Sequence, residues 1–319
     1  MGKSDFTWCY LGHLGMNCWD DRPEEDPQAM GTARFRLQTN RADCVRLDEP
    51  LWRRLTDRLQ EAGCNQLLLD LAEIVVYPSH PELAVKGSWS PDRLRDEIRR
   101  LRGRGFEVVP KLNFSATHDT WLKDYHRMVS TRKYYEVCAD VIRDVVEMFD
   151  GPRLFHLGFD EETAQHQRRN DFVVVRQGDL WWHDLLQLVG VVEAAGCRPW
   201  VWSDYAWNHE EEFLRRMPRS VLQSNWYYSE DFAPEDPKEL SHVRLFDKLD
   251  RAGFDQVPSG SNVLGTRNLP NMIDYCRRRC MPSRIKGYMM ASWAVTIPRN
   301  EKWALESADI LSECIGRGR

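Results

Sequence analysis

The chain has 319 residues, of which 42% are hydrophobic and 29% charged. This composition is typical of a globular protein and excludes a disordered or fibrous one. The 44 basic and 49 acidic residues give a net charge of −5, which argues against an electrostatic nucleic-acid binder. No window approaches the roughly 18 consecutive apolar residues of a membrane span, so we expect no membrane partner.

The nine cysteines are irregularly spaced and form no Cys-x-x-Cys pair, which disfavours a structural zinc site. We therefore expect reduced thiols and a cytoplasmic location. The first six residues lack an apolar signal region, although a secreted parent whose signal has been removed is an alternative.

Short apolar runs alternate with amphipathic segments along the whole chain. Strands are predicted at 6–14, 66–71, 106–114, 154–159, 198–203, 221–226, 256–259 and 285–290. Helices are predicted at 50–62, 90–102, 131–149, 179–195, 210–216, 237–252, 269–280 and 303–314. Long loops are predicted at 20–47 and 73–89. Eight such units in one chain predict a single (β/α)8 TIM barrel over residues 1–319, which fits better than an open doubly wound sheet.

No glycine-rich phosphate-binding motif follows a predicted strand, so we expect no nucleotide cofactor. In a barrel of this kind the reacting residues follow the carboxyl ends of the strands. The residues at those positions are mostly aromatic or carboxylic. They include His13, Asn17, Trp19, Asp20, Asp70, Glu73, Lys111, Asn113, His118, Asp160, Glu161, Glu162, Trp202, Asp204, Tyr205, Trp207, Asn225, Trp226, Tyr227, Tyr228, Ser292 and Trp293.

Stacking surfaces beside hydrogen-bonding groups suit a carbohydrate, whose rings have apolar faces and hydroxyl edges. A single tryptophan is more often part of a core, but four at strand ends favour a pocket. We therefore expect a carbohydrate substrate.

The fourth predicted strand ends in the sequence Leu-Phe-His-Leu-Gly-Phe-Asp-Glu-Glu, at 154–162. Strand alternation directs His156, Gly158 and Asp160 into the barrel and the intervening phenylalanines and leucine towards the helices. Glu161 reaches the same side if the backbone bends after Asp160. Two adjacent carboxylates repel, so at least one pKa is expected to rise, which would make that group a proton donor. The alternative is an acidic cluster at a helix N-terminus, and Glu162 is assigned only to the start of the following helix.

The segment from His156 to Glu161 resembles the H-x-G-x-D-E motif of family 20 glycoside hydrolases, the β-N-acetylhexosaminidases. The stretch from Trp89 to Pro110 is similar to that family's second helix and third strand, and the aromatic residues after strands five, six and eight are similar to its sugar-binding walls. Because the first predicted strand begins almost at the start of the sequence, we expect no counterpart of the small domain that usually precedes the family's barrel.

The resemblance implies a glycosidase for 2-acetamido sugars that retains configuration and needs no metal. It implies that Glu161 is the general acid and that Asp160 binds the acetamido N–H, while the acetamido oxygen attacks the anomeric carbon. It further implies substrate-binding roles for other residues of the strand ends. These are His118, His156, Trp202, Asp204, Trp226, Tyr227, Tyr228 and Trp293.

Three positions depart from the family pattern. The family's Pro-Glu-x-Asp reads Pro110-Lys111-Leu112-Asn113 here, and His118 lies one residue further along than the family's histidine. No arginine is found on the first strand, and Val295 replaces a glutamate near the eighth. Recognition of the sugar hydroxyls is therefore expected to differ.

Two other functions are consistent with the sequence. A metal-dependent barrel, such as a sugar isomerase or hydrolase, could assemble His13, His118, His156, Asp70 and Asp160. A catalytically inactive carbohydrate-binding barrel would explain the changes at Lys111 and Val295. Metal analysis and a panel of glycosides distinguish these alternatives.

Overall fold

In the computed structural model, which describes residues 6–22 and 41–318, eight parallel strands alternate with eight α-helices. The strands are β1 (Thr7–His13), β2 (Gln66–Asp70), β3 (Glu107–Lys111), β4 (Leu154–His156), β5 (Arg198–Trp202), β6 (Leu222–Ser224), β7 (Ser259–Ser261) and β8 (Gly287–Ala291). All eight overlap the predicted strands, although β7 shares only its first residue with the prediction.

The helices are α1 (Glu49–Ala62), α2 (Pro91–Gly103), α3 (Arg132–Met148), α4 (Asp179–Ala194), α5 (Glu210–Arg216), α6 (Pro237–Arg251), α7 (Asn268–Arg279) and α8 (Glu301–Gly318). Their ends follow the capping residues. Ser90 accepts a hydrogen bond from the backbone N–H of Arg93 at the start of α2, and Pro91 occupies the first turn. At the end of α1, Gly63 adopts a left-handed conformation with φ 88°.

The strands pair in the order β6-β5-β4-β3-β2-β1-β8-β7, and every pairing is parallel. Isolated bridges join Gln223 to Gln256 and Trp226 to Ser259, which closes the gap between β6 and β7. The predicted (β/α)8 TIM barrel is therefore confirmed. The seventh strand begins later than predicted because Gln256 is shared between bridges to Gln223 and Ile285 and lies in no continuous ladder.

Strand alternation separates two hydrophobic layers. The inner cluster, inside the barrel, consists of Cys9, Leu11, Leu68, Val109, Leu154, Trp200, Trp202, Leu222, Val257, Met289 and Ala291. The outer cluster lies between the strands and the helices and includes Phe155, Leu157 and Phe159, as the alternation predicted. Residues that lie two positions beyond the inner cluster along each strand also point inwards, and they do so at the carboxyl-terminal mouth of the barrel.

The connections on this mouth are longer than those on the opposite end. The predicted loop at 20–47 lies largely outside the described residues. The loop at 73–89 overlaps the short 3₁₀ helix Ala72–Ile74 and contains Pro81–Leu83, and a longer 3₁₀ segment, Thr120–Met128, follows β3. Within the described part of the chain, every helix is too short or too polar to cross a lipid bilayer.

Candidate active site

The site is centred on the backbone that follows β4. The strand ends at His156, and Gly158, Phe159 and Glu161 then adopt left-handed conformations with φ of 76°, 68° and 54°. Left-handed backbone is unfavourable for Phe159 and Glu161, so surrounding contacts must hold it. The N–H of Phe159 donates to Asn113 Oδ1 (3.3 Å), and that of Glu161 donates to Asp204 Oδ2 (2.8 Å). This bend brings the side chains of Asp160 and Glu161 to the same side of the chain, as expected for a backbone that bends after the strand.

Gly158 makes room for a neighbouring side chain. A Cβ atom at this position would lie 1.9 Å from Asn113 Oδ1. Asn113 fills this space and donates from Nδ2 to Asp160 Oδ1 over 2.8 Å. The asparagine thus links the end of β3 to the carboxylate of Asp160.

His118 joins the two carboxylates. Its Nε2 lies 3.4 Å from Asp160 Oδ2 and 3.3 Å from Glu161 Oε2, and the ring is buried. Burial alone would lower the pKa of His118, but the charges of Asp160 and Glu161 outweigh burial and raise this pKa to about 10. At neutral pH the imidazole is therefore protonated and forms an ion pair with both acids.

The expectation that the pKa of Asp160 or Glu161 rises is wrong. Burial favours a higher pKa for both, but the positive charge on His118 holds both pKa values below their usual range. His166 acts on Glu161 in the same direction. The neighbouring carboxyl group of Asp204 has a pKa raised to about 7, because it is buried and close to the negative charge of Asp160.

His166 is a member of the site that the sequence did not reveal. It lies in the loop after β4, and its Nε2 is 3.4 Å from Glu161 Oε1. Each carboxylate oxygen of Glu161 therefore has one imidazole neighbour. The side chain of Glu161 is 26% exposed, whereas that of Asp160 is 10% exposed, so Glu161 faces the opening of the mouth.

Aromatic rings form a continuous wall beside these acids. Ring centroids are separated by 4.8 Å between His156 and Trp202, 5.8 Å between Trp202 and Trp293, 6.2 Å between Trp293 and Tyr228, and 4.9 Å between Tyr228 and Trp226. Trp202 belongs to the inner cluster, and Trp226 and Trp293 pack against it. The structure therefore brings the three predicted pocket tryptophans to one side of the barrel mouth.

Asp204 links this wall to the acids. Its Oδ1 accepts a hydrogen bond from Trp226 Nε1 (3.3 Å), while its Oδ2 accepts the backbone N–H of Glu161. Both oxygens have protein partners, so Asp204 orients the site rather than offering a free carboxylate.

Tyr227 lies elsewhere, contrary to the expectation that it belongs to the pocket. Its ring is part of the outer cluster, and its hydroxyl donates to Glu239 Oε2 in α6 (2.8 Å). Successive residues of an extended chain point in opposite directions, so only Tyr228 of this pair faces the mouth.

A buried ion pair lies at the carboxyl ends of β1, β2 and β3. Lys111 Nζ lies 2.7 Å from Asp70 Oδ2, and His13 Nδ1 lies 3.4 Å from the same oxygen. These residues are register partners on adjacent strands β1, β2 and β3. Lys111 stands where the family pattern has glutamate, and the carboxylate of Asp70 neutralises its charge.

Glu162 was expected to start a helix, and the structure places it in a buried ion pair instead. Its carboxylate contacts the guanidinium of Arg176, which also lies 3.1 Å from Asp184 in α4. The backbone N–H of Ala116 donates to the same carboxylate (3.1 Å). Glu162 thus fastens the loop after β4 to α4 and to the loop after β3.

Among the described residues, one group of side chains has the geometry to hold a metal ion. His118, Asp160 and Glu161 each offer one ligand atom, and these atoms lie within 4.8 Å of one another. The larger set proposed from the sequence is not assembled, because the ammonium group of Lys111 already neutralises Asp70 beside His13.

Comparison with solved structures finds the same fold in several glycosidase barrels. Dispersin B is 14% identical with a TM-score of 0.57, over 85% of this chain and 95% of that one. The β-N-acetylhexosaminidase from Bacteroides fragilis is 13% identical with a TM-score of 0.61, over 95% and 65% of the two chains.

A third similar structure is the family 20 exo-β-N-acetylglucosaminidase from Vibrio harveyi in complex with N-acetylglucosamine, at 13% identity and a TM-score of 0.60. This chain spans 57% of the Vibrio enzyme's length, and the match covers 99% of this chain. No protein-family model and no curated protein matches the sequence. The fold is that of the family 20 barrels, as the motif predicted, at 13–14% sequence identity to these three structures.

Proposed function

We propose that this protein is a glycoside hydrolase that cleaves N-acetylhexosaminides with retention of configuration, using the substrate's own acetamido group. The observation that supports the proposal is the convergence of Asp160 and Glu161 on His118 beside the aromatic wall. A carbohydrate would stack on the partly exposed rings of Trp226 and Trp293, with its glycosidic oxygen towards Glu161. Trp202 is 1% exposed and would support these rings from inside the barrel.

Asp160 has the properties of the residue that binds the acetamido N–H. It is ionised, and Asn113 and His118 fix its two oxygens. By accepting the N–H, it would orient the acetamido oxygen for attack on the anomeric carbon. An oxazoline ring forms as the bond to the leaving oxygen breaks. The hydroxyl of Tyr228 would donate to the acetamido oxygen from the wall.

Glu161 would protonate the leaving oxygen and then remove a proton from the water that opens the oxazoline. In the free protein the pKa of Glu161 is low because two imidazoles face its carboxylate. A bound sugar would cover the exposed part of this side chain. Loss of water disfavours the charged form and so raises the pKa towards that of a working acid.

The test uses aryl glycosides with and without a 2-acetamido group, and with good and poor leaving groups. Glu161→Gln should lower turnover of poor leaving groups by about 10²–10⁴-fold and that of activated ones less, because activated leaving groups need little protonation. Asp160→Asn should impair every 2-acetamido substrate. The product anomer, followed by NMR, should show retention.

Glu235→Gln is the control, because Glu235 is exposed on the surface, whereas Glu162 is held in a buried ion pair. Undiminished turnover in both the Asp160 and Glu161 variants would refute the assignment. Equal activity on glycosides that lack the acetamido group would support a glycosidase but exclude a mechanism in which the acetamido group takes part. Binding without turnover by the wild type would favour a carbohydrate-binding barrel.

A metal-assisted hydrolase is the second candidate, favoured by the three ligand atoms of His118, Asp160 and Glu161. A divalent cation would have to displace the proton on His118, since a metal-bound imidazole nitrogen carries no proton. Elemental analysis of the purified protein distinguishes the candidates. Stoichiometric zinc or manganese, with activity lost on chelation and restored by the metal, would support this candidate. Full activity of metal-free protein would contradict it.

A further inference from the structure

The loop after β4 contains a histidine whose surroundings determine which of its nitrogens carries the proton. The backbone N–H of His166 donates to Thr163 Oγ1 (3.3 Å), and the same oxygen lies 2.8 Å from His166 Nδ1. Oγ1 accepts the backbone N–H and has its own hydrogen to donate to Nδ1 of the neutral ring. In the neutral ring Nδ1 is then the acceptor and Nε2 carries the proton, and in the charged ring Nε2 carries a proton as well.

That nitrogen is the one that faces Glu161. His166 Nε2 lies 3.4 Å from Glu161 Oε1, on the side of the carboxylate opposite His118. The reverse tautomer would place an unprotonated nitrogen against a carboxylate oxygen, which is repulsive. Thr163 therefore selects the tautomer that attracts Glu161.

The backbone of the same segment is fixed independently of His166. The carbonyl of Glu161 accepts hydrogen bonds from the N–H of Thr163 (2.7 Å) and from Thr117 Oγ1 (2.9 Å). With the main chain held, the remaining freedom of Glu161 is the rotation of its side chain. Its two oxygens meet His118 on the buried side and His166 on the exposed side, where the histidine side chain is 42% exposed.

We propose that His166 is a positioning residue: it donates Nε2–H to Glu161 Oε1, in a tautomer selected by Thr163, and holds the carboxylate towards the mouth. This inference rests on the proposed role of Glu161 as general acid. The role of His166 is to orient the acid for proton transfer to the leaving oxygen, and His166 itself does not contact substrate. Its loss should therefore affect the step that needs protonation more than substrate binding.

The kinetic test compares His166→Leu, which removes the donor, with His166→Gln, whose amide N–H reaches a similar position. For 2-acetamido glycosides with poor leaving groups, His166→Leu should lower kcat by about 10- to 100-fold, the size of a lost hydrogen bond to a charged group. Activated aryl glycosides should lose much less, KM should change little, and His166→Gln should restore most of the difference. His183→Gln is the matched control, since His183 is exposed on α4.

A second measurement does not depend on turnover. Long-range ¹H–¹⁵N spectra of the imidazoles should show His166 protonated at Nε2 in the wild type. Thr163→Val should weaken that preference, and Glu161→Gln should shift the His166 signals.

The outcomes separate the inference from the proposed function. If Glu161→Gln has no kinetic effect, the proposed function fails, and the spectra alone decide whether His166 contacts Glu161. If Glu161→Gln impairs poor leaving groups while His166→Leu behaves like His183→Gln, the inference is overturned. A wild-type His166 protonated only at Nδ1, with signals that ignore Glu161→Gln, would also overturn it.

Discussion

At the scale of single residues, Asn113 determines how the carboxylate of Asp160 is presented. Its Oδ1 accepts the N–H groups of Ser115 (3.1 Å) and Phe159 (3.3 Å), so its Nδ2 can only be directed towards Asp160. Asn113 occupies the position where the related family pattern has aspartate. A neutral donor at this point leaves Asp160 with the negative charge that the acetamido N–H would require.

We expect Asn113→Asp to replace this hydrogen bond with repulsion between two carboxylates. Repulsion raises an apparent pKa of the coupled pair, so one of its two carboxyl groups would be protonated at a higher pH than Asp160 is in the wild type. The acidic limb of the pH–rate profile should move to higher pH, and turnover below neutral pH should fall. NMR titration of the carboxyl carbons measures the same shift directly. An unchanged acidic limb, with unchanged carboxyl titration, would contradict the role given to Asn113.

At the scale of elements, the end of β4 depends on a glycine. Gly158 combines φ of 76° with a neighbour, Asn113 Oδ1, that a Cβ would approach to 1.9 Å. Gly158→Ala should therefore lower the free energy of unfolding by at least about 1–2 kcal/mol, the cost of left-handed backbone, and displace Asn113. Urea unfolding measures this loss, and activity should fall with it.

Gly190→Ala provides the matched comparison. Gly190 lies within α4, and nothing is within 4 Å of the position of a new Cβ. Alanine is favoured over glycine in a helix by about 1 kcal/mol, so this variant should be more stable than the wild type. Equal effects of the two substitutions would show that Gly158 has no special conformational role.

The elements were predictable because each carries a periodic signal. Alternation along 154–160 correctly placed Phe155 and Leu157 outside the barrel, and capping residues marked the helix ends. The loops carry no such period. The sequence therefore gives no signal for His166, and Glu162 matches a helix start because its partner Arg176 lies 14 residues away in another irregular segment.

The same limit applies to the charges of the site. From the sequence, adjacent Asp160 and Glu161 suggested repulsion and a raised pKa. The position of His118 between them depends on the path of the loop after β3, which no local pattern describes. Tyr227 and Tyr228 were indistinguishable for a related reason, because the phase of the chain after β6 is fixed only by the folded backbone.

At the scale of the whole molecule, burying a charged site couples stability to pH. The pKa of His118 is raised to about 10 in the folded protein, against about 6.5 for an unfolded histidine. Between these values the folded state holds a proton that the unfolded state has lost. The stabilisation from this group is complete below about pH 6.5 and disappears as the pH rises through about 10.

Between pH 7 and 9 this group should make the free energy of unfolding fall by about 1.4 kcal/mol per pH unit, the slope for one proton. His118→Gln should remove that part of the slope, although the variant will be less stable throughout because two carboxylates lose their counter-charge. His183→Gln should keep the wild-type slope, since this exposed histidine lies outside the site. Urea unfolding at several pH values gives the slopes. Identical slopes in the wild type and His118→Gln would show that His118 does not carry a proton between Asp160 and Glu161.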